Sequence, residues 1–326
     1  MSIRATPWKA PAACCRIDVV IAETSVAMAR GRAAFGVRRL LAAAFLMLPV
    51  VAYAQSLTLK PFKDELFGYP GILSSQDGGS YLIVDYNEAR DIDRRDQIPE
   101  RRVKGTYVST AVRKVQKDLT LKTDAGTIKH FAVGKTEGAR IITIYLHGQG
   151  GSRKQGVNDH TFGGNFNRIK SLVVAAGGLY LSPDFDSFDE QGATQVAAML
   201  SIYAKASPAA PIFLACGSMG GAICWNLARG PEMAKRLGGL LLLGSMWNEN
   251  FLTSAAFERR VPLFLGHGSL DTVFPIQHME EFYRSIRRKA PDYPVRMVRF
   301  ETGSHGTPIR MTDWRETINW MLSATR

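Results

Sequence analysis

From Arg140 onward the chain repeats one pattern, a short apolar run rich in Ile, Val and Leu followed by a longer amphipathic stretch. The runs read IITIYLHG, GLYLSPD, PIFLACGS, GLLLLGS, PLFLGHG and VRMVRFE. Strands apolar on both faces belong in a parallel sheet whose crossover helices cover each side. Helical periodicity falls around 166–176, 190–206, 221–237, 276–289 and 313–322, while 246–260 is a short, weakly helical link. The pattern predicts an α/β fold, a mostly parallel, doubly wound sheet. SYLIVDYN and LTLKTDAGTIKHFAVGK are expected as antiparallel strands capping one edge, the second with a turn at Asp124-Ala125-Gly126. Residues 88–104 are charge-rich and read as a surface loop. No stretch between strands is long enough for a large lid domain.

Upstream, Arg38-Arg39, the run LLAAAFLMLPVV and Ala52-Tyr53-Ala54 have the order of a secretory signal peptide: a cationic start, an apolar core and a small-residue cleavage site. Cleavage is expected after Ala54. The apolar core is shorter than the roughly 20 residues a membrane-spanning helix needs, so no stable membrane anchor is expected. Val37 before the arginine pair and Leu41 after it favour the general secretion route over a twin-arginine signal. Met28 would begin a signal of ordinary length. The chain therefore divides into a leader, 1–54 (signal 28–54), an N-terminal extension with edge strands, 55–117, and a catalytic domain, 118–326. Its expected location is periplasmic or secreted.

The full chain carries a net charge of +12, to which the leader contributes seven Lys or Arg and two Asp or Glu. The remainder is only moderately basic. Its densest cluster, Arg284, Arg287, Arg288 and Lys289, closes a predicted helix, where cations complement the helix dipole. No aromatic residues interleave these charges as a single-strand groove requires, and nucleic acid is not an expected partner. Cys14 and Cys15 lie in the leader; Cys216 and Cys224 are expected as small buried residues rather than a disulfide.

The first of those last two cysteines lies in LACGSMGGA, a strand running into a tight turn and then a helix. A nucleophile on such a turn needs small neighbours two before and two after it, because the backbone passes close to itself. Gly220 fills the second place and Cys216 the first. Ser218 is thereby a candidate nucleophile, and a serine hydroxyl needs an imidazole base and a carboxylate to orient it. Of six histidines, His130, His160 and His278 read as surface or packing residues, and His147 and His267 as rings that bond locally at strand ends. His305, in the Gly-rich loop of FETGSHGTP after the last strand, is the candidate base. Asp271 in LFLGHGSLDTVFP is the candidate acid, with Asp184, Asp186 and Glu249 as substitutes.

Two backbone N–H groups are candidate oxyanion donors: that of Met219, next after the nucleophile, and that of Gln149 in YLHGQGGS. The same loop lacks the Gly-Lys-Ser/Thr end of a phosphate-binding loop, and Arg153 occupies the last glycine place of a dinucleotide fingerprint. No histidine has a second at helical spacing, so neither a metal nor another cofactor is expected. Arg153, Lys154 and His160 raise the question of an anionic or sugar-bearing substrate, against the simpler reading of a solvated loop.

HGQGG, CGSMGG, HGSLDTVFP and GSHG together resemble the alpha/beta-hydrolase superfamily over roughly 118–324, and the arrangement is most similar to the lidless carboxylesterase, phospholipase and dienelactone hydrolase group. The resemblance implies a serine hydrolase in which Ser218, His305 and Asp271 cleave carboxylic esters through an acyl-enzyme. Its substrates would be small-molecule, lipid or sugar esters. The alternatives are a peptidase or amidase with the same triad, and a non-catalytic binding protein on that fold.

Overall fold

The computed structural model describes residues 57–97 and 101–325. The expected leader, with its cleavage point and start at Met28, lies outside the described residues. Twelve strands follow in chain order: β1 Ile72–Gln76, β2 Tyr81–Asp85, β3 Asp96–Gln97, β4 Arg102–Val103, β5 Gln116–Thr123, β6 Gly126–Gly134, β7 Ile142–Leu146, β8 Leu179–Pro183, β9 Ile212–Gly217, β10 Leu237–Leu243, β11 Leu263–Gly268 and β12 Val295–Glu301. The helices are α1 Asp64–Phe67, α2 Asn165–Ala175, α3 Glu190–Ala206, α4 Gly220–Arg229, α5 Pro231–Ala234, α6 Ala255–Glu258, α7 Ile276–Lys289, α8 Thr307–Met311 and α9 Trp314–Ala324.

All strands but the small β3-β4 pair join one sheet, in the order β1-β2-β12-β11-β10-β9-β7-β8-β6-β5. The run from β2 to β8 is parallel; β1 at one end and the β6-β5 hairpin at the other are antiparallel. One expectation is corrected here. The hairpin caps an edge as predicted, but SYLIVDYN lies at the opposite edge, where β2 pairs in parallel with β12. Its Leu82 and Val84 sit opposite Val298 and Phe300, an apolar match a local reading of the segment does not reveal.

Side chains alternate between two cores on the faces of the sheet. Ile212, Leu214 and Cys216 of β9 pack with α3, α4 and α7 through Met199, Ile223 and Phe282. Phe213 and Ala215 face α2 and α9 through Phe166, Ile169, Trp314 and Ile318. Each fully buried Leu, Ile or Phe contributes about 1.5–3 kcal/mol, so the six apolar runs account for the fold's existence more than any local propensity does. The helix expected over 221–237 is two: Pro231 has no N–H to donate and breaks it after Gly230. Residues 88–104 are also corrected. Asp91, Arg95 and Asp96 are buried, and Asp96 receives both Arg310 Nη atoms at 3.0 and 2.6 Å. Charges survive burial where they are paired and hydrogen-bonded. No helix among the described residues is long and apolar enough to cross a membrane.

Candidate active site

At the C-terminal edge of the sheet, β9 delivers Ser218 onto the turn into α4. Ser218 has φ 51°, in the left-handed region that costs a non-glycine residue energy. The turn is held from three sides. A Cβ on Gly220 would strike the Leu146 carbonyl, so only glycine lets the corner pass β7 this closely. Ser245 Oγ, after β10, donates to the Ser218 carbonyl at 2.6 Å. Ser218 N–H donates to Leu243 O at 3.3 Å. Cys216 is fully buried, as expected, with its side chain in the core between β9 and α4, where no glycine is required. The expectation of two separate thiols is corrected: Cys216 and Cys224 are joined in a disulfide, their Cα atoms 6.5 Å apart, within bridging range. Strand end and helix face each other across the turn, which places two residues eight apart in sequence side by side.

The loops after β11 and β12 are laced together. Leu270 N–H donates to Gly303 O at 2.8 Å, Ser269 N–H to Phe300 O at 2.9 Å and Thr302 N–H to Ser269 Oγ at 2.8 Å. This lacing sets Asp271 beside His305. His305 Nδ1 lies 2.8 Å from Asp271 Oδ2, and its Nε2 lies 2.9 Å from Ser218 Oγ. A carboxylate only accepts, so Nδ1 carries the proton and Nε2 is free to accept from the hydroxyl. Asp271 Oδ1 accepts the N–H groups of Val273 and Phe274 at 2.8 and 3.0 Å. Burial alone would raise the Asp271 pKa, but the bonds from His305 and these two amides outweigh it and hold the carboxyl below its ordinary range. The arrangement can deprotonate the hydroxyl as it attacks and stabilise the resulting imidazolium.

No protein-family model matches the chain, and no curated protein matches it. Solved structures share its architecture. A mutant of the feruloyl esterase module from Clostridium thermocellum, complexed with sinapinate, superposes on 68% of this chain and 92% of its own at 12% identity, with a TM-score of 0.51. A thermostable esterase does so over 65% and 64% at 15% identity, with a TM-score of 0.50. The chain has the alpha/beta-hydrolase fold. At these identities the likeness speaks for the fold alone, and among the described residues no large lid is inserted in it.

Within that fold, Gln149 and Gly148 line the cavity that Ser218 and His305 open into. Met219 is the N-cap of α4, so its amide points from a helix start, where N–H groups lack helical partners and favour negative charge. Asp184 is engaged elsewhere: it takes Arg153 at 2.7 Å, and Arg153 also binds Asp118 at 3.1 Å. Arg153 is thus spoken for within the protein. Asp186 accepts from Gln195 at 2.6 Å, and Glu249 is exposed. His160 bonds around Val103 and Asn158, and Lys154 is exposed. His130 meets the Tyr203 hydroxyl at 2.6 Å in the core, His147 stacks on Phe185, and His278 stacks on Trp247.

Sequence reasoning took His267 only as a locally bonded ring and passed over Ser245 and Phe162. His267 is fully buried; its Nε2–H donates to Phe274 O at 2.6 Å and lies 3.3 Å from Asp271 Oδ2. Burial lowers its pKa, so the ring is neutral. Ser245 stands in a second Gly-Ser pair at a strand end, LLLLGS, a signal visible only once β10 is known to lie beside β9. Phe162 reaches the cavity from the loop before α2, with no motif to mark it.

Proposed function

We propose that the protein is an exported serine hydrolase acting on carboxylic esters. The observation that carries this reading is the continuous hydrogen-bonded chain from Ser218 Oγ through His305 to Asp271 at a cavity of about 160 Å³. Ser218 Oγ attacks the ester carbonyl while its proton passes to His305 Nε2. The oxyanion accepts hydrogen bonds from the Met219 and Gln149 amides. Collapse of this intermediate breaks the bond from carbonyl carbon to alkoxy oxygen; His305 gives its proton to the departing alcohol, leaving Ser218 acylated. Water, deprotonated by the same imidazole, then releases the acid and restores the hydroxyl. Asp271 stays ionised throughout, which its lowered pKa supports.

The esterases similar in fold, one of them a feruloyl esterase with sinapinate bound, are consistent with small ester substrates. A fluorophosphonate probe tests the reading. It should label the wild type on Ser218 and leave Ser218→Ala unlabelled; a folded wild type that takes no label refutes it. Faster cleavage of aminoacyl anilides than of p-nitrophenyl esters would reassign the enzyme as an amidase. Export is supported by the leader sequence. The exported protein should begin at Gln55.

A further inference from the structure

Phe162 stands at a boundary. Its ring lines the cavity beside Ser218 and also a neighbouring cleft of about 330 Å³ walled by Tyr86 and Ile92. The only other residue common to both is Gly306, directly after the base. Phe162 packs onto that glycine closely enough that a Cβ on Gly306 would sit 3.3 Å from Phe162 Cε1. Ring and backbone together form the wall that the two spaces share.

The backbone beneath the ring is unusual. Phe162, Gly163 and Gly164 are all left-handed, with φ 49°, 64° and 78°. The two glycines adopt this freely, whereas a phenylalanine there is an outlier. The surroundings enforce it: Arg95 Nη2 donates to the Gly163 carbonyl at 3.3 Å, and the Phe162 ring meets Phe166 edge-on, centroids 5.6 Å apart. Strain retained at a site wall signals that the aim of the side chain matters.

Resting on the esterase reading above, we infer that Phe162 is a specificity-determining residue that sets the upper size of the leaving alcohol and confines the enzyme to esters of small alcohols. The side of the substrate follows from the chemistry. His305 must deliver its proton to the leaving oxygen, so the alcohol lies towards the base, where Gly306 and Phe162 form the wall. The acyl group lies away from it. With the ring removed, cavity and cleft merge, and a bulky apolar alcohol extends between Tyr86 and Ile92.

Phe162→Gly tests this, because glycine keeps φ 49° without strain and preserves the turn. Two series are measured: acetates of ethanol, benzyl alcohol and naphthylmethanol, and ethyl esters of acetic, butyric and hexanoic acids. In Phe162→Gly, kcat/KM for naphthylmethyl acetate relative to ethyl acetate should rise about tenfold or more, the scale on which apolar pockets discriminate size. In Phe162→Trp the same ratio should fall. The hexanoate-to-acetate ratio should stay within about threefold. An unchanged alcohol ratio, a shift confined to the acyl series, or an equal loss on every ester would each overturn the inference. Phe162→Trp decides the matter if Phe162→Gly does not fold. A wild type that hydrolyses no ester and takes no fluorophosphonate would instead refute the esterase reading, and this inference with it.

Discussion

The rim that carries Ser218 and the segment at 57–115 that wraps the other end of the chain around α2 and α9 are built on opposite principles. At the rim, Ser218 and His305 are half-buried, and the backbone is left-handed at Ser218, Phe162 and Thr302. The N-terminal segment is fastened by ion pairs in which at least one partner is buried. Arg168 is fully buried and reaches Asp64 at 2.9 Å and Asp313 at 3.2 Å. Lys170, also fully buried, meets Asp159 at 2.7 Å, and Asp159 in turn holds Arg113 at 2.5 Å. Arg310 and Asp96 tie the same segment to α8. Ser218 and His305 face the cavity, while the buried ion pairs under the segment hold position. Reactivity and anchoring therefore occupy different residues, and substitutions should separate them.

The sharpest separation is expected at Asp271. Asp271→Asn should lower kcat by about 10⁴-fold, because an amide presents the wrong partner to the imidazole, while thermal melting changes little. Near-normal turnover would move the acid to Asp184, Asp186 or Glu249. The reverse outcome is expected at Asp159: Asp159→Ala strands Lys170 as a buried charge and should cost about 3–5 kcal/mol in denaturant unfolding. Turnover per folded molecule should be unaffected; a fall in kcat with stability intact would erase the contrast between the regions.

Acid should erode both regions by the same route. For Asp159 and Asp271, burial raises the carboxyl pKa, but the hydrogen bonds outweigh it, to Lys170, Asn167 and Arg113 in one case and to His305 and two amides in the other. Both folded pKa values are thus depressed. Their contribution is fully present above the unfolded value near about 4 and is lost as pH falls through the folded values. Each carboxylate gives a slope of at most about 1.4 kcal/mol per pH unit. Asp159→Asn should flatten this acid limb in unfolding titrations, and an unaltered limb would assign it to other carboxylates.

Much of the rim was legible because its signals are local. A strand end followed by small residues marks Ser218, a Gly-rich loop after the last strand marks His305, and HG-x-x-D marks Asp271. The succession of the six parallel strands along the chain was legible for a similar reason, since apolar runs set the period. What stayed hidden depends on partners remote in sequence. Asp96 and Arg310 are far apart along the chain, and nothing at 88–104 announces that its charges will be neutralised inside. The parallel pairing of β2 with β12 depends on a match across the sheet. Cys216 and Cys224 were misjudged because their closeness depends on the angle at which α4 leaves the turn.

His267 gives the carboxylate of Asp271 a second neighbouring imidazole, and burial makes the two rings unequal. The inner ring spends its N–H on the Phe274 carbonyl and is discouraged from taking another proton. It behaves as an inert strut that happens to be made of histidine. In the proposed reaction a proton leaving Ser218 therefore has a single destination, and proton traffic runs along one lane although two rings flank the acid.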